Sequence, residues 1–370
     1  MDARWDNNGN LGSMPYNISL GLTYGKSTDD RLDTNILASG VPISTPNRRE
    51  ENISRNFDQY AQGRLGLANN LDLHAGVRHT KVKLEVNDDL SLNGNNSGSV
   101  EYQKTTPVIG TTWKVTDTFN LYFNYGKGFE TPTFIEAAFN SVTGGFASTP
   151  NLSLKASESR NYEIGAKAFI TDNIQANLTV FKVNTQNEIV TRQTVAGRSS
   201  FQNAGDTKRT GIEASLDAQF DNNLSFFGAY TLLNAKFEDP FTTVINAAGT
   251  TGRVNDGNRI PGTYRSQIYG EVAWKYAPWG FNTALEGRHN SKVYVNDINS
   301  DTAPSYTIFN IRAGFEQNLA KWNFKEYVRV ENMFDKEYIG SVRVNDGNAL
   351  FFEPGADRNY LLGLSASYKF

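Results

Sequence analysis

The feature that most constrains this chain is a period of two in its hydrophobic residues, repeated along most of its length. In Ile18 to Lys26, the residues Ile18, Leu20, Leu22 and Tyr24 alternate with Ser19, Gly21, Thr23 and Gly25. In Thr210 to Phe220, Ile212, Ala214, Leu216, Ala218 and Phe220 oppose Gly211, Glu213, Ser215, Asp217 and Gln219. Tyr306 to Glu316 and Arg358 to Phe370 follow the same rule. Successive side chains of a strand point to opposite faces, so each segment separates an apolar medium from a polar one. About fourteen such strands can be marked, at roughly 15–26, 57–69, 71–86, 100–116, 118–128, 158–171, 173–184, 205–220, 222–238, 262–276, 279–291, 305–317, 321–333 and 357–370. Their length, about 11 to 17 residues, exceeds the ~5–6 of soluble sheets and suits tilted strands that cross a bilayer and protrude.

The connections sort by length. Tight turns fall at Asn69–Asn70, Thr116–Asp117, Thr171–Asn173, Asp221–Asn223, Ala277–Gly280 and Asn318–Ala320. Between them lie long polar stretches at 27–56, 87–99, 129–157, 185–204, 239–261, 292–304 and 334–356. Short turns at one end and long loops at the other mark an antiparallel transmembrane β-barrel, an all-β fold. Trp113, Trp274, Trp279 and Trp322 each lie near a short turn, and Trp5 precedes a further turn at Asp6 to Ser13. Tryptophan favours the membrane interface, so all five are expected on one rim, on the periplasmic side.

Composition fits this reading. The mean hydropathy of −0.50 arises when half of each strand faces lipid and the rest of the chain is polar. The longest apolar run is about five residues, around Tyr360 to Leu364, so no helix can span a bilayer. Acids and bases nearly cancel to a net charge of −3, which argues against a nucleic-acid partner. The absence of cysteine excludes thiolate metal sites and disulfides. Charges of both signs, among them Arg64, Asp72, Glu213, Glu271, Glu286, Arg312 and Arg329, fall on the polar parity and define a wet lumen.

Four stretches carry a family resemblance. Tyr125-Gly-Lys-Gly-Phe-Glu-Thr-Pro-Thr133 is followed by Pro150-Asn-Leu-Ser-Leu-Lys155 and Glu158. Phe201-Gln-Asn-Ala-Gly-Asp-Thr-Lys-Arg-Thr-Gly-Ile-Glu213 runs into a strand, and Val330-Glu-Asn-Met-Phe-Asp-Lys-Glu-Tyr338 precedes the last one. In order and spacing they resemble the C-terminal barrel region of TonB-dependent outer-membrane receptors, which import ferric siderophores, haem and cobalamin. Glu130 and Thr131 depart from the family pattern, as do Thr149, Ser153 and Ala156. The carrying residues Gly128, Phe129, Pro132, Asn203, Gly205, Gly211, Glu213, Asn332, Phe334, Tyr338 and the terminal Phe370 are read as structural. Glycine and proline break strands as they leave the membrane, and Asn and Gly shape the loops.

The resemblance implies an outer-membrane receptor and transporter, not an enzyme, for energised uptake of a ferric siderophore or similar iron chelate. Its implied partners are outer-membrane lipid, the barrel-assembly machinery that reads an aromatic C-terminus, and the TonB complex, reached only through an N-terminal region. No resident cofactor or metal is implied. Residues 1–370 read as the C-terminal portion of a barrel of about 22 strands, without signal peptide, TonB box or plug. Met1-Asp-Ala-Arg-Trp5 reads as the tail of a strand. The alternative is a self-contained barrel of about 14 strands acting as a passive pore.

Ligand contacts are expected in the long loops. Candidates are Arg48 and Arg49 in 27–56; Phe129, Phe134 and Phe146 in 129–157; Phe241, Arg253 and Arg259 in 239–261; and Tyr338, Arg343, Phe351 and Phe352 in 334–356. Arginine meets an anionic chelate by charge-assisted bonds, and aromatic rings stack on aryl groups. Residues 130–150 contain no histidine, which disfavours haem. The hexapeptide Arg253-Val-Asn-Asp-Gly-Asn258 recurs as Arg343 to Asn348, a repeat that turn chemistry explains.

Overall fold

Side-chain alternation becomes a sheet only if each strand finds a neighbour for its backbone. In the computed structural model, which describes residues 1–36, 39–90, 94–142, 145–147, 149–195 and 198–370, fifteen strands do so in one antiparallel meander. The side chains at 35, 36, 44, 141, 142 and 145–147 also fall outside the description. The strands are Asp2–Leu11, Met14–Ile36, Pro42–Ala68, Leu71–Asp88, Gly98–Lys114, Phe119–Glu130, Ser157–Thr171 and Ile174–Gln186. Thr207–Gln219, Leu224–Phe237, Ser266–Tyr276, Phe281–Asn290, Tyr306–Leu319, Trp322–Glu331 and Asn359–Tyr368 complete the set. Each pairs with its sequence neighbours. Among the described residues no ladder joins the first strand to the last.

The tight turns stand where the sequence puts them. Asn223 (φ 61°) and Ala320 (φ 55°) take left-handed conformations that reverse the chain in few residues. The turn expected at Asp6 to Ser13 is an exception: the opening segment is a full first strand, Asp2–Leu11, rather than a short tail, in register with Met14 to Thr23, and the turn is confined to Gly12 and Ser13.

The stretch 27–56 departs from expectation. The second and third strands run 23 and 27 residues, and their ladder continues through Lys26↔Arg55, Asp29↔Asn52 and Arg31↔Glu50 to Asp33↔Arg48. Most of this supposed loop is sheet. Above the bilayer neither face meets lipid and one face buries the polar Arg48, Glu50 and Asn52, so the hydrophobic alternation vanishes while the backbone ladder persists. At ~3.3 Å per residue the third strand spans roughly 90 Å, well beyond the hydrocarbon thickness.

The two faces differ as the parity demands. Ile164, Leu178, Val180, Ile212, Ile268 and Val272 are exposed and share the outer face by register. The inner face carries ion-pair networks. Glu271 and Glu286 sit opposite each other on adjacent strands, a repulsive pair. Arg312 binds both, and Arg329 holds Glu286 at 2.6 and 2.7 Å. All five tryptophans are exposed on the outer wall. Near one short turn Trp274 meets Phe281, and Tyr276 meets Trp279, edge to face, while the Trp274 and Tyr276 rings are tilted by 32°. Trp322, Tyr368 and Phe370 form a second aromatic group. Trp5 stands further up its strand, opposite Leu20.

The densest apolar packing lies in neither wall. Phe237, Val254 and Ala204 form a buried cluster, joined by Val190, Phe241, Ile260 and Ile298. These residues belong to the long-loop end, so the connections are a folded cap with its own small core.

Candidate ligand-binding rim

The cap is built from two-stranded hairpins inside the long connections. They pair Ile189–Val195 with Arg198–Asn203, Phe241–Val244 with Thr251–Val254, Val293–Tyr294 with Thr302–Ala303, and Ile339–Val342 with Phe352–Pro354. Asn140–Val142 pairs with Gly145–Ala147 in the same way. Backbone bonds lock hairpin to hairpin. The Thr194 amide donates to Asn345 (3.0 Å), the Gly347 amide to Thr194 (2.7 Å), and the Ala247 amide to Gly347 (2.8 Å).

The repeated hexapeptide gains distinct roles here. Gly257 takes φ 83° in the first copy, whereas Asn345 takes φ 55° in the second, so one sequence adopts two backbones. Both copies converge on Asp297. The Asn258 side chain donates to its backbone carbonyl (2.9 Å), and the Asn345 side chain donates to its carboxylate (2.8 Å). Burial pushes the Asp297 carboxyl up to about 6, against the hydrogen bonds from Asn345 and Thr243 that hold it down.

A cationic cluster surrounds Phe139. The guanidinium of Arg31 lies 4.9 Å from the ring centroid, and those of Arg48 and Arg198 lie 5.5 Å away. Arg31 pairs with Asp33 at 3.1 Å and Arg48 with Glu50 at 2.6 Å. Three positive charges against two negative leave the cluster with a net charge of +1. Arg198 makes no ion pair among the described residues, and it is exposed. Phe139 is buried at 6% exposure, so its ring is the post that orders the three guanidiniums, and the exposed Arg198 is the one that can meet an anion by bidentate hydrogen bonds.

The other expected ligand residues are scattered around the rim. Arg48 is strand-borne and 2% exposed, with its guanidinium also on the Ala138 carbonyl (2.5 Å), so it supports the cluster from within. Arg49, opposite Leu32, is exposed. Phe129 ends its strand opposite Glu158, and Phe134 is half-buried in the following turn. The Phe146 side chain lies outside the described residues. Phe241 packs edge to face on Phe237 at 5.0 Å, which makes it part of the cap core. Arg253 is exposed on its hairpin. Arg259 donates to the Asn234 side chain (3.2 Å) and the Leu233 carbonyl (3.0 Å). Tyr338 stacks on Tyr306 at 4.5 Å, Arg343 pairs with Glu353 at 2.9 Å, and Phe351 abuts Phe352.

The motif residues are structural joints. Asn203 exchanges hydrogen bonds with Lys155 (2.8 and 2.9 Å) and donates to the Asn187 carbonyl (2.9 Å), tying two motifs together. Asn332, at φ 49°, binds the backbone of Lys336 and Ala356. Pro132 is fully buried, Gly128 sits opposite Ser159, and Gly205 abuts Asp239. Gly211 leaves room for the Phe181 ring, which a Cβ would meet at 2.4 Å. Glu213 is exposed on the lumen parity. Phe334 rests on Phe309 of the outer wall, and Phe370 is fully exposed. Arg31, Arg198 and Asp297 escape sequence reasoning because only tertiary packing brings them to a site. Among the described residues no group of three or more acidic, His or Cys side chains could hold a metal.

Comparison with known proteins agrees with this geometry. The family model described as TonB dependent receptor-like, beta-barrel matches residues 1–369. The ferrioxamine receptor of Yersinia enterocolitica is 23% identical over 335 residues, covering 88% of this chain and 41% of that protein. The heme/hemopexin utilization protein C of Haemophilus influenzae is 24% identical over 272 residues, covering 68% and 37%. The crystal structure of the siderophore receptor PiuA from Acinetobacter baumannii superposes with a TM-score of 0.78 at 18% identity, covering 99% of this chain and 55% of that one. The chain thus spans less than half the length of these curated relatives. With the family model matching from end to end, the chain belongs to the TonB-dependent receptors, as part of their β-barrel.

Proposed function

We propose that this chain is the barrel portion of an outer-membrane receptor that takes up an anionic ferric chelate, a ferric siderophore or a close analogue. The observation that carries this reading is the Phe139 cluster, three guanidiniums ordered on a buried ring, of which the exposed Arg198 is uncompensated by an ion pair among the described residues. Exposed Arg49, Arg253 and Phe352 extend the contact surface, while Arg48 and Phe241 hold it in shape. Residues 1–370 supply the barrel. The plug and the TonB contact come from sequence outside them, and energised uptake requires both. The exposed Phe370 suits recognition by the barrel-assembly machinery.

The test measures binding of a ferric catecholate, a ferric hydroxamate and ferric citrate to the detergent-folded chain. Arg198→Ala should weaken the preferred chelate about tenfold, the loss of one charge-assisted contact. Unchanged binding of all three would remove the Phe139 cluster from the site. Cells carrying only this chain should show no TonB-dependent iron uptake, and measured uptake would sink the claim that further sequence is needed.

A further inference from the structure

Near the short-turn end, the outer wall carries one charge that its neighbours leave unanswered. On the last five strands of the sheet, Ser266–Tyr276, Phe281–Asn290, Tyr306–Leu319, Trp322–Glu331 and Asn359–Tyr368, register puts Trp274, Phe315 and Leu364 on the outward parity. Among the described residues, Glu326 is the one Asp, Glu, Lys or Arg on that parity of these strands. Its row reads Tyr276↔Phe281↔Phe315↔Glu326↔Leu364. The rows on either side place Ala313, Val328 and Leu362, then Gln317, Phe324 and Ala366, around it. None of these residues is charged, and Glu326 is exposed with no ion pair among the described residues. The inward glutamates of the same strands are all paired. Glu271 and Glu286 hold Arg312, Glu316 holds Lys325 at 3.0 Å, and Glu331 holds Arg329 at 3.0 Å.

The depth of Glu326 makes this exposure costly. It stands four residues from Trp322, roughly 13 Å along the strand, on the bilayer side of the aromatic group that Trp322 forms with Tyr368 and Phe370. An ionisable group on the lipid-facing side of a membrane wall needs a counter-charge or a hydrogen-bond donor. The wall has a place for one. Ala313 presents a single methyl between Phe315 and Val328, and the outer surface dips there into a groove of about 440 Å³. Phe315, Val328, Leu362 and Leu364 line the groove, and the Glu326 carboxylate is the one charged group on it.

We propose that this groove binds a phospholipid with a primary ammonium headgroup, the ammonium donating to the Glu326 carboxylate and an acyl chain lying along the apolar lining. The inference rests on the reading of the chain as a membrane barrel whose outer wall meets lipid. Charge complementarity selects a cation and rejects an anionic headgroup. An ammonium brings three donors to a carboxylate that its own wall leaves without one. The apolar lining selects a lipid over a free amine.

The test uses the full chain folded in detergent micelles, with mass spectrometry of the intact complexes reading bound lipid. The probes are phosphatidylethanolamine, phosphatidylcholine with the same acyl chains, and water-soluble phosphoethanolamine. Phosphatidylethanolamine should bind about tenfold more tightly than phosphatidylcholine, whose trimethylated nitrogen has no proton to donate. Glu326→Gln should lose that preference, and Glu316→Gln, altered on the lumen side, should keep it. Should Glu326→Gln not fold, Ala313→Phe takes its place, because it fills the groove and should remove the preference too. A preference retained by either Glu326→Gln or Ala313→Phe overturns the proposal. So does phosphoethanolamine binding as tightly as the lipid. Equal uptake of the two lipids overturns the headgroup site alone, whereas uptake of neither overturns the membrane-barrel reading and the lipid site with it.

Discussion

Asp297 shows how one residue sets the state of the cap. Its carboxyl is buried, accepts from Asn345, and has its value raised from 3.8 to about 6. A raised value means that the fold favours the protonated form. The stabilisation is complete below about pH 4 and is lost as pH rises through 6, a total of about 3 kcal/mol. The cap should therefore open more readily at pH 7.5 than at pH 5. Hydrogen exchange at the Asn345 and Gly347 amides, corrected for intrinsic rates, reads this opening directly. Asp297→Asn should slow exchange at pH 7.5 and abolish the difference between the two pH values. A difference that survives in the variant rules out Asp297 as its source. The repeat that led to this residue was visible in sequence as a pair of turns, but convergence on one carboxylate was not. That convergence depends on which connections touch.

At the scale of elements, the short turns were legible because their chemistry is local. Gly280 is the tightest case. It takes φ 62°, and a Cβ there would lie 1.9 Å from the Glu316 carbonyl oxygen of the adjacent strand. Gly280→Ala should cost about 2 kcal/mol or more through left-handed strain and that clash, lowering the urea midpoint of the folded chain. Asn223→Gly, at φ 61° in another short turn, should be neutral or stabilising. Equal midpoints for wild type and Gly280→Ala would contradict the strain argument. The long hairpin of Met14–Ile36 with Pro42–Ala68 was illegible for the opposite reason. Its outer third is polar on both faces, and a ladder held by backbone bonds leaves no mark in hydropathy. The cap hairpins are hidden in the same way, with strands too short to display a period.

For the whole molecule, the sheet has two free edges, Asp2–Leu11 and Asn359–Tyr368, among the described residues. Unpaired backbone groups cost several kcal/mol each in hydrocarbon, so these edges need partners within a membrane. Further strands should provide them, and the chain alone should give no stable single-channel conductance in planar bilayers. The cysteine-free sequence makes closure simple to test. Asn8→Cys with Ser365→Cys should yield little disulfide in the isolated chain. A high yield together with steady conductance would establish a smaller closed barrel and a passive pore.

The sequence by itself determined the fold class, the sorting of turns from loops, the two-faced wall and the family. Each of these follows from alternation or from short motifs, and both are properties of neighbouring residues. Tertiary structure alone decided where charge collects and where it stands unpaired. Glu326 lacks a counter-charge only because register sets Phe315 and Leu364 beside it. Arg31, Arg48 and Arg198 meet at Phe139 only because a long hairpin and two separate loops fold over one another. Backbone register fixes which distant residues become neighbours, and no local pattern in the sequence encodes the sum of those charges.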